Sequence, residues 1–199
     1  MVLAGAAAVS TGVMSWALNS AMNPESEAAQ PAVNQPLQDA DSILQDGIQQ
    51  QENHDLKGAV RTYRRVLRLD PKNKFAWYNL GVIAHDDGRT DDARAAYEKS
   101  LKIDPAFMSA LFNEGILLKS SDPDRALGLL ERALGVDPQA ATVHLHLGEI
   151  WAMKNRDQVA TDEFRSAVAA DPSLRSQVPE SFRDSLSTST RSSTAGSTR

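Results

Sequence analysis

From Phe75 to Asp86 the large apolar residues fall at 75, 77, 78, 80, 82 and 83, a crowding that predicts a strongly buried helix rather than strand alternation. The next segment places Ala93, Ala96, Tyr97, Ser100 and Leu101 on one stripe at helical spacing. Between the two, Gly88 is expected to cap the first helix in the left-handed conformation. Thr90 with Asp91 is expected to open the second by accepting free N–H groups. Asp104-Pro105 ends that helix, because the residue before a proline is pushed out of the α region. The predicted unit is a helical hairpin, with Gly81 and Ala93 expected where its helices cross, since small side chains let two backbones approach closely.

The pattern recurs. Pro71 to Pro105 is 34 residues, Pro105 to Pro138 is 33 and Pro138 to Pro172 is 34, and a period of that size means hairpins stacked into an array. Four repeats follow, at 40–73, 74–107, 108–140 and 141–173. The first keeps Ile43, Gly47, Ala59, Tyr63 and Val66, but Asp46 and Gln50 replace the counterparts of Leu80 and Ala84, as suits an end repeat facing water. The third keeps Leu111, Gly115, Ala126 and Leu130, has Glu114 in place of Leu80, and lacks one residue in its turn. There Pro123 suits the first turn of a helix capped by Asp122 or Ser121. The fourth keeps Leu147, Gly148, Ala160 and Phe164, with His144 in the Trp77 position. Beyond it, at 174–187, Leu174, Val178, Phe182 and Leu186 supply an apolar cap that Pro179 divides into two short helical pieces.

The flanks differ in kind. Residues 1–22 carry no charge and, at about 1.5 Å per residue, are just long enough to cross a hydrocarbon core. They are expected to form a single-pass membrane anchor. The alternatives are a removed signal peptide, with Ser15-Trp16-Ala17 as a small-x-small cleavage site, or a disordered extension. Glu25 and Glu27 follow the apolar run and the first Lys is Lys57, so no basic cluster holds that flank inside. The repeats are therefore expected outside the cytoplasm, membrane-bound or secreted. Residues 23–39, rich in Pro, Ala, Gln and Asn, are expected to be a disordered linker, and 188–199, rich in Ser and Thr, a disordered tail.

Composition narrows the chemistry. With 199 residues, 41% of them hydrophobic, the chain holds one domain and its flanks. A net charge of −5 and a pI near 5.4, with no basic stripe expected that could neutralise phosphates, argue against nucleic acid as the main partner. With no Cys there is no disulfide framework or thiol chemistry. His144 and His146 lie two apart, so on a helix they point about 200° apart and cannot chelate one metal as an i, i+4 pair could. Asp70, Asp104, Asp137 and Asp171 each precede a proline in a turn, which is a structural role by itself. No Gly-rich phosphate loop or nucleophile elbow is present. No enzyme activity, cofactor or metal is expected.

The order of small residue, large apolar residue, small residue and Asp-Pro, marked by Trp77, Leu80, Gly81, Ala84, Ala93, Tyr97 and Pro105, resembles the tetratricopeptide repeat (TPR) family over about Ala40 to Ser173. The resemblance implies an all-α fold, a right-handed α-solenoid of four helix-turn-helix repeats plus a C-terminal capping helix. It also implies a groove lined by the first helix of each pair. The side chains it places there are Leu44 and Ile48; Phe75, Tyr78, Asn79 and Val82; Phe112, Asn113 and Ile116; and Leu145, His146 and Glu149. Such a floor would suit an amphipathic helix or an extended apolar peptide, with Asn79 and Asn113 binding its backbone. The Lys and Arg with which some family members hold acidic chaperone termini are missing from these positions. The expected function is a non-catalytic protein–protein interaction scaffold. A recruiting module for a separate enzyme, or a self-associating element whose groove its own chain fills, are the alternatives.

Overall fold

In the computed structural model the described residues are 35–186, and among them every regular element is helical. The helices are α1 (Gln35–Glu52), α2 (Leu56–Leu69), α3 (Lys74–Asp86), α4 (Thr90–Ile103), α5 (Met108–Leu118), α6 (Pro123–Val136), α7 (Ala141–Met153) and α8 (Asp157–Ala170). A 3₁₀ turn (Pro172–Ser176) and the short α9 (Glu180–Arg183) follow. Each odd-numbered helix from α1 to α7 packs on the helix after it, making four hairpins, and α2, α4 and α6 each pack on the first helix of the next pair. α3 also touches α5, and the side of the stack that carries the first helices is here called the inner face. The result is the solenoid of hairpins that the period predicts.

One contact, repeated four times, closes each hairpin. A Cβ added at Gly81 would lie 2.6 Å from the Tyr97 ring, and one at Gly148 would lie 2.5 Å from the Phe164 ring. Gly47 stands in the same relation to Tyr63, and Gly115 to Leu130. The large partner is fully buried in each case, and filling such a slot contributes about 1.5–3 kcal/mol of apolar burial per side chain. Gly81 and Ala93 were expected where the helices cross, and the closest approach there is made by a third residue. Ala93 is buried nearby, but the side chain that needs the missing Cβ is Tyr97.

The turns show why the repeats differ in length. Gly88 adopts φ +71 after α3, as expected, and His54 and Asn155 hold the equivalent left-handed positions after α1 and α7. The third turn lacks that residue. There Asp122 accepts from the Arg125 N–H at 3.1 Å and Pro123 opens α6. Thr90 and Asp91 do not cap α4. Both already lie within the helix, its cap is Arg89 without a side-chain capping bond, and the Arg89 guanidinium instead binds Asp87 and Asp92. The four Asp before proline have the structural role expected of them. Each accepts from the N–H two residues on, at 3.0 Å from Lys72, Ala106 and Gln139 and at 2.9 Å from Ser173.

At the ends the structure adds detail. α1 begins at Gln35, inside the stretch expected to be linker, with Pro36 in the first turn where its missing N–H costs nothing. At the other end the cap is two short pieces with Pro179 between them rather than one helix. Leu174 and Val178 are buried there, and Phe182 lies 5.1 Å from Phe164. The proposed anchor at 1–22 and the tail at 188–199 lie outside the described residues. Among the described residues, no helix is long and apolar enough to cross a membrane.

Candidate interaction surface

The inner face is built around aromatic rings from α3 and the entry to α5. Phe75 is 45% exposed and meets Phe107 edge-on at 5.4 Å, and Tyr78 meets the same ring at 5.2 Å. Both arrangements let a ring edge approach a ring face. The Lys74 ammonium lies 5.0 Å from the Phe75 and Phe107 ring centres and pairs with Asp104, which fixes it at the rim. The Tyr78 hydroxyl accepts from Asn113 Nδ2 at 2.9 Å, and burial pushes its pKa above the ordinary tyrosine value. Asn113 is thus partly engaged within the fold, while Asn79, half-buried, makes no side-chain hydrogen bond among the described residues. Ile48, Val82 and Ile116 are also half-buried.

Toward the fourth repeat the face becomes polar. Phe112 lies 5.6 Å from the His146 ring, His146 Nδ1 is 2.8 Å from Glu149, and Lys119 Nζ donates to Glu149 at 2.7 Å. Burial works to raise the Glu149 pKa. The hydrogen bonds from His146 and Lys119 outweigh it and hold the carboxyl below the ordinary glutamate value.

Two residues expected in the groove are placed in the core instead. Leu44 packs in the cluster of Tyr63, Ala76 and Ile83, and Leu145 in that of Phe164, Leu174 and Val178. What covers them at the ends of the array is what repeat spacing does not report. Phe107, Lys74 and Lys119 were missed, the first because it sits at the junction before α5 rather than on a helix. Trp77 is a further correction. It is half-buried, with Nε1 donating to the Pro71 carbonyl at 3.1 Å and the Lys99 ammonium 4.0 Å from the ring centre. His144, in the same position of the fourth repeat, has Nε2 at 3.1 Å from the Pro138 carbonyl and Nδ1 at 2.7 Å from Glu163. This position straps a helix to the loop before it. Among the described residues no group of three or more His, Asp or Glu could hold a metal ion.

Hairpins stacked in register, presenting side chains along one face, are the build of a protein-interaction scaffold. The tetratricopeptide repeat model matches residues 47–106 and 116–174, and the chain belongs to the tetratricopeptide repeat family. Anaphase-promoting complex subunit 3 of Schizosaccharomyces pombe is 24% identical over 173 residues, covering 69% of this chain and 26% of that protein. The protein O-mannosyl-transferase Tmtc3 of Drosophila melanogaster is 31% identical over 111 residues, covering 54% of this chain and 12% of that protein. The chain therefore spans about a quarter of the first relative and about an eighth of the second. Among solved structures, a crystal structure of MamA superposes with a TM-score of 0.65 at 23% identity, over 75% of this chain and 87% of that one. PilW, a type IV pilus biogenesis factor, gives 0.63 at 22% identity, over 69% and 64%. These likenesses show the fold.

Proposed function

We propose that the chain is a non-catalytic scaffold that holds a partner protein on its inner face, against the rings around Phe75. The observation that carries this reading is the exposure of Phe75, 45%, at the edge of an otherwise packed aromatic group centred on Phe107. A large ring left open one helical turn from Tyr78 gains by being covered, at about 25 cal/mol per Å² of apolar surface removed from water. The partner segment that fits is an amphipathic helix or an extended apolar peptide. Its apolar side chains would meet Phe75, Tyr78, Val82, Phe112 and Ile116, and its polar groups would meet Asn79, Lys74 and the Lys119–Glu149–His146 group. Ile48 extends the floor toward the first repeat.

Residues 1–22 tether the array to a membrane in this reading, with the repeats on the extracytoplasmic side; their lack of charge supports it. Recruitment of a separate enzyme is a second reading, favoured by one relative being named a transferase while matching this chain over only 12% of its length.

The test is co-purification of bound protein with the wild type and with a Phe75→Ala, Phe112→Ala variant. Neither ring is fully buried, so the variant is expected to melt close to the wild type. The expected result is at least a tenfold loss of the co-purifying partner. Unchanged recovery removes the inner face from the account.

A further inference from the structure

On the opposite side, where α2 and α4 lie over α3, the surface holds a cavity of about 470 Å³. Its floor is apolar, formed by Val60, Leu67, Leu80 and the indole of Trp77, and its rims carry Arg64 and Arg68 from α2 and Lys99 from α4. The α2 sequence LKGAVRTYRRVLRL places Lys57, Arg61, Arg64, Arg65 and Arg68 at helical spacing and contains no acidic residue. None of these five forms an ion pair among the described residues. Arg68 reaches only the Arg64 carbonyl, at 3.4 Å. The chain's net charge of −5 conceals this stripe, and the expectation from composition that no basic stripe exists is corrected by it.

The next repeat supplies an internal comparison. A cavity of similar size, about 470 Å³, lies between α4 and α6 over α5. There Glu98 stands in the place of Arg64 and Glu114 in the place of Leu80, and Arg125 bridges both at 2.6 Å. Arg132, in the place of Lys99, donates to the Pro105 carbonyl at 2.8 Å. That groove satisfies its own charges. In the first groove the one acid, Asp92, is taken by Arg89 at 2.7 Å, and the guanidinium groups of Arg64 and Arg68 have no carboxylate.

We propose that the α2/α4 groove is a second docking surface, for an acidic peptide segment that places an apolar side chain on the Trp77–Leu80 floor and its flanking carboxylates against Arg64, Arg68 and Lys99. Guanidinium groups bind carboxylates in paired, charge-assisted hydrogen bonds, so two arginines one helical turn apart fit an acidic strand or helix better than a single point charge. A planar bilayer does not suit the site, because the apolar groups are recessed beneath the basic rim. A nucleic acid would meet the arginines through phosphates but leave the apolar floor of Val60, Leu67 and Leu80 unfilled.

The experiment measures anisotropy of a fluorescein-labelled peptide, EELFEE, titrated with the full chain. Parallel titrations use QQLFQQ, EESSEE, a 20-mer oligouridine and vesicles containing anionic phosphatidylserine. The expected result is salt-sensitive binding of EELFEE, at least tenfold weaker for QQLFQQ and for EESSEE. Binding should weaken at least tenfold in an Arg64→Gln, Arg68→Gln, Lys99→Gln variant and stay unchanged in the Phe75→Ala, Phe112→Ala variant, which separates this site from the inner face. Should the triple variant melt early, the Arg64→Gln, Arg68→Gln double variant is read in its place. Four results would overturn the proposal: no binding of EELFEE up to 1 mM, equal binding of QQLFQQ or EESSEE, equal binding by the charge variant, or charge-dependent binding of vesicles or oligouridine alone.

Discussion

Gly81 has no Cβ because the Tyr97 ring occupies the place where one would sit, 2.6 Å away. Gly128, in the middle of α6, has nothing within 4 Å of the same construction. The two glycines should therefore respond oppositely to one added methyl group. Gly81→Ala is expected to cost about 1–3 kcal/mol through overpacking, whereas Gly128→Ala is expected to add about 0.5–1 kcal/mol through helix propensity and a less flexible unfolded chain. Urea unfolding of both variants checks this, and a shift of the same sign in each would mean that the hairpin crossing is not where the contact places it. The glycine was legible in the sequence as a small residue at a fixed place in each repeat. Its partner was not, because periodicity marks which residues face inward without saying which pairs meet. Trp77 shows the same limit: its spacing marked a repeat position correctly, but the ring lies over Lys99 at the surface rather than in the core.

At the scale of elements, α5 carries a carboxylate where the second repeat has a leucine. Glu114 is 1% exposed, one of its oxygens is buried without a partner, and Arg125 of α6 supplies the compensating charge. Burial raises its pKa above the ordinary glutamate value, with Arg125 pulling the other way. A raised carboxyl pKa in the fold means that the contribution is most favourable below the ordinary range and is lost as pH rises through the raised value. Arg125→Ala leaves the buried charge unpaired, so it is expected to cost about 1–3 kcal/mol at pH 7 and less near pH 5, as Glu114 takes up a proton. Glu114→Leu, which restores the leucine of the second repeat, is expected to be neutral or stabilising by about 1 kcal/mol. Unfolding measured at both pH values decides it, and an Arg125→Ala penalty that does not change with pH contradicts the assignment. The sequence showed the odd residue in its repeat position. It could not show the neutralising arginine, because Glu98, Glu114 and Arg125 meet across three different helices. The basic stripe of α2 escaped for a related reason: an average charge does not record that the acids able to pair with it are engaged elsewhere.

Across the whole molecule, repetition made the fold legible before any coordinate, since a period of 34, 33 and 34 residues admits few architectures other than stacked hairpins. What the period leaves open is what happens where the array stops. Leu145 is covered by the turn after Pro172, and Leu44 packs into the core of the first hairpin, so the open part of the inner face narrows to its middle, around the second and third repeats. The central claim is that this middle is where a partner sits. The most direct measurement places a photo-crosslinking amino acid at position 75, and in a separate variant at position 136, in cells that normally make the protein. Both positions are similarly exposed, 45% for Phe75 and 46% for Val136, but Val136 ends α6, the second helix of its pair, whereas Phe75 opens α3, one of the first helices that form the inner face. The account predicts a discrete crosslinked partner from position 75 and none from position 136. Crosslinking at 136 alone, or equally at both, would contradict it.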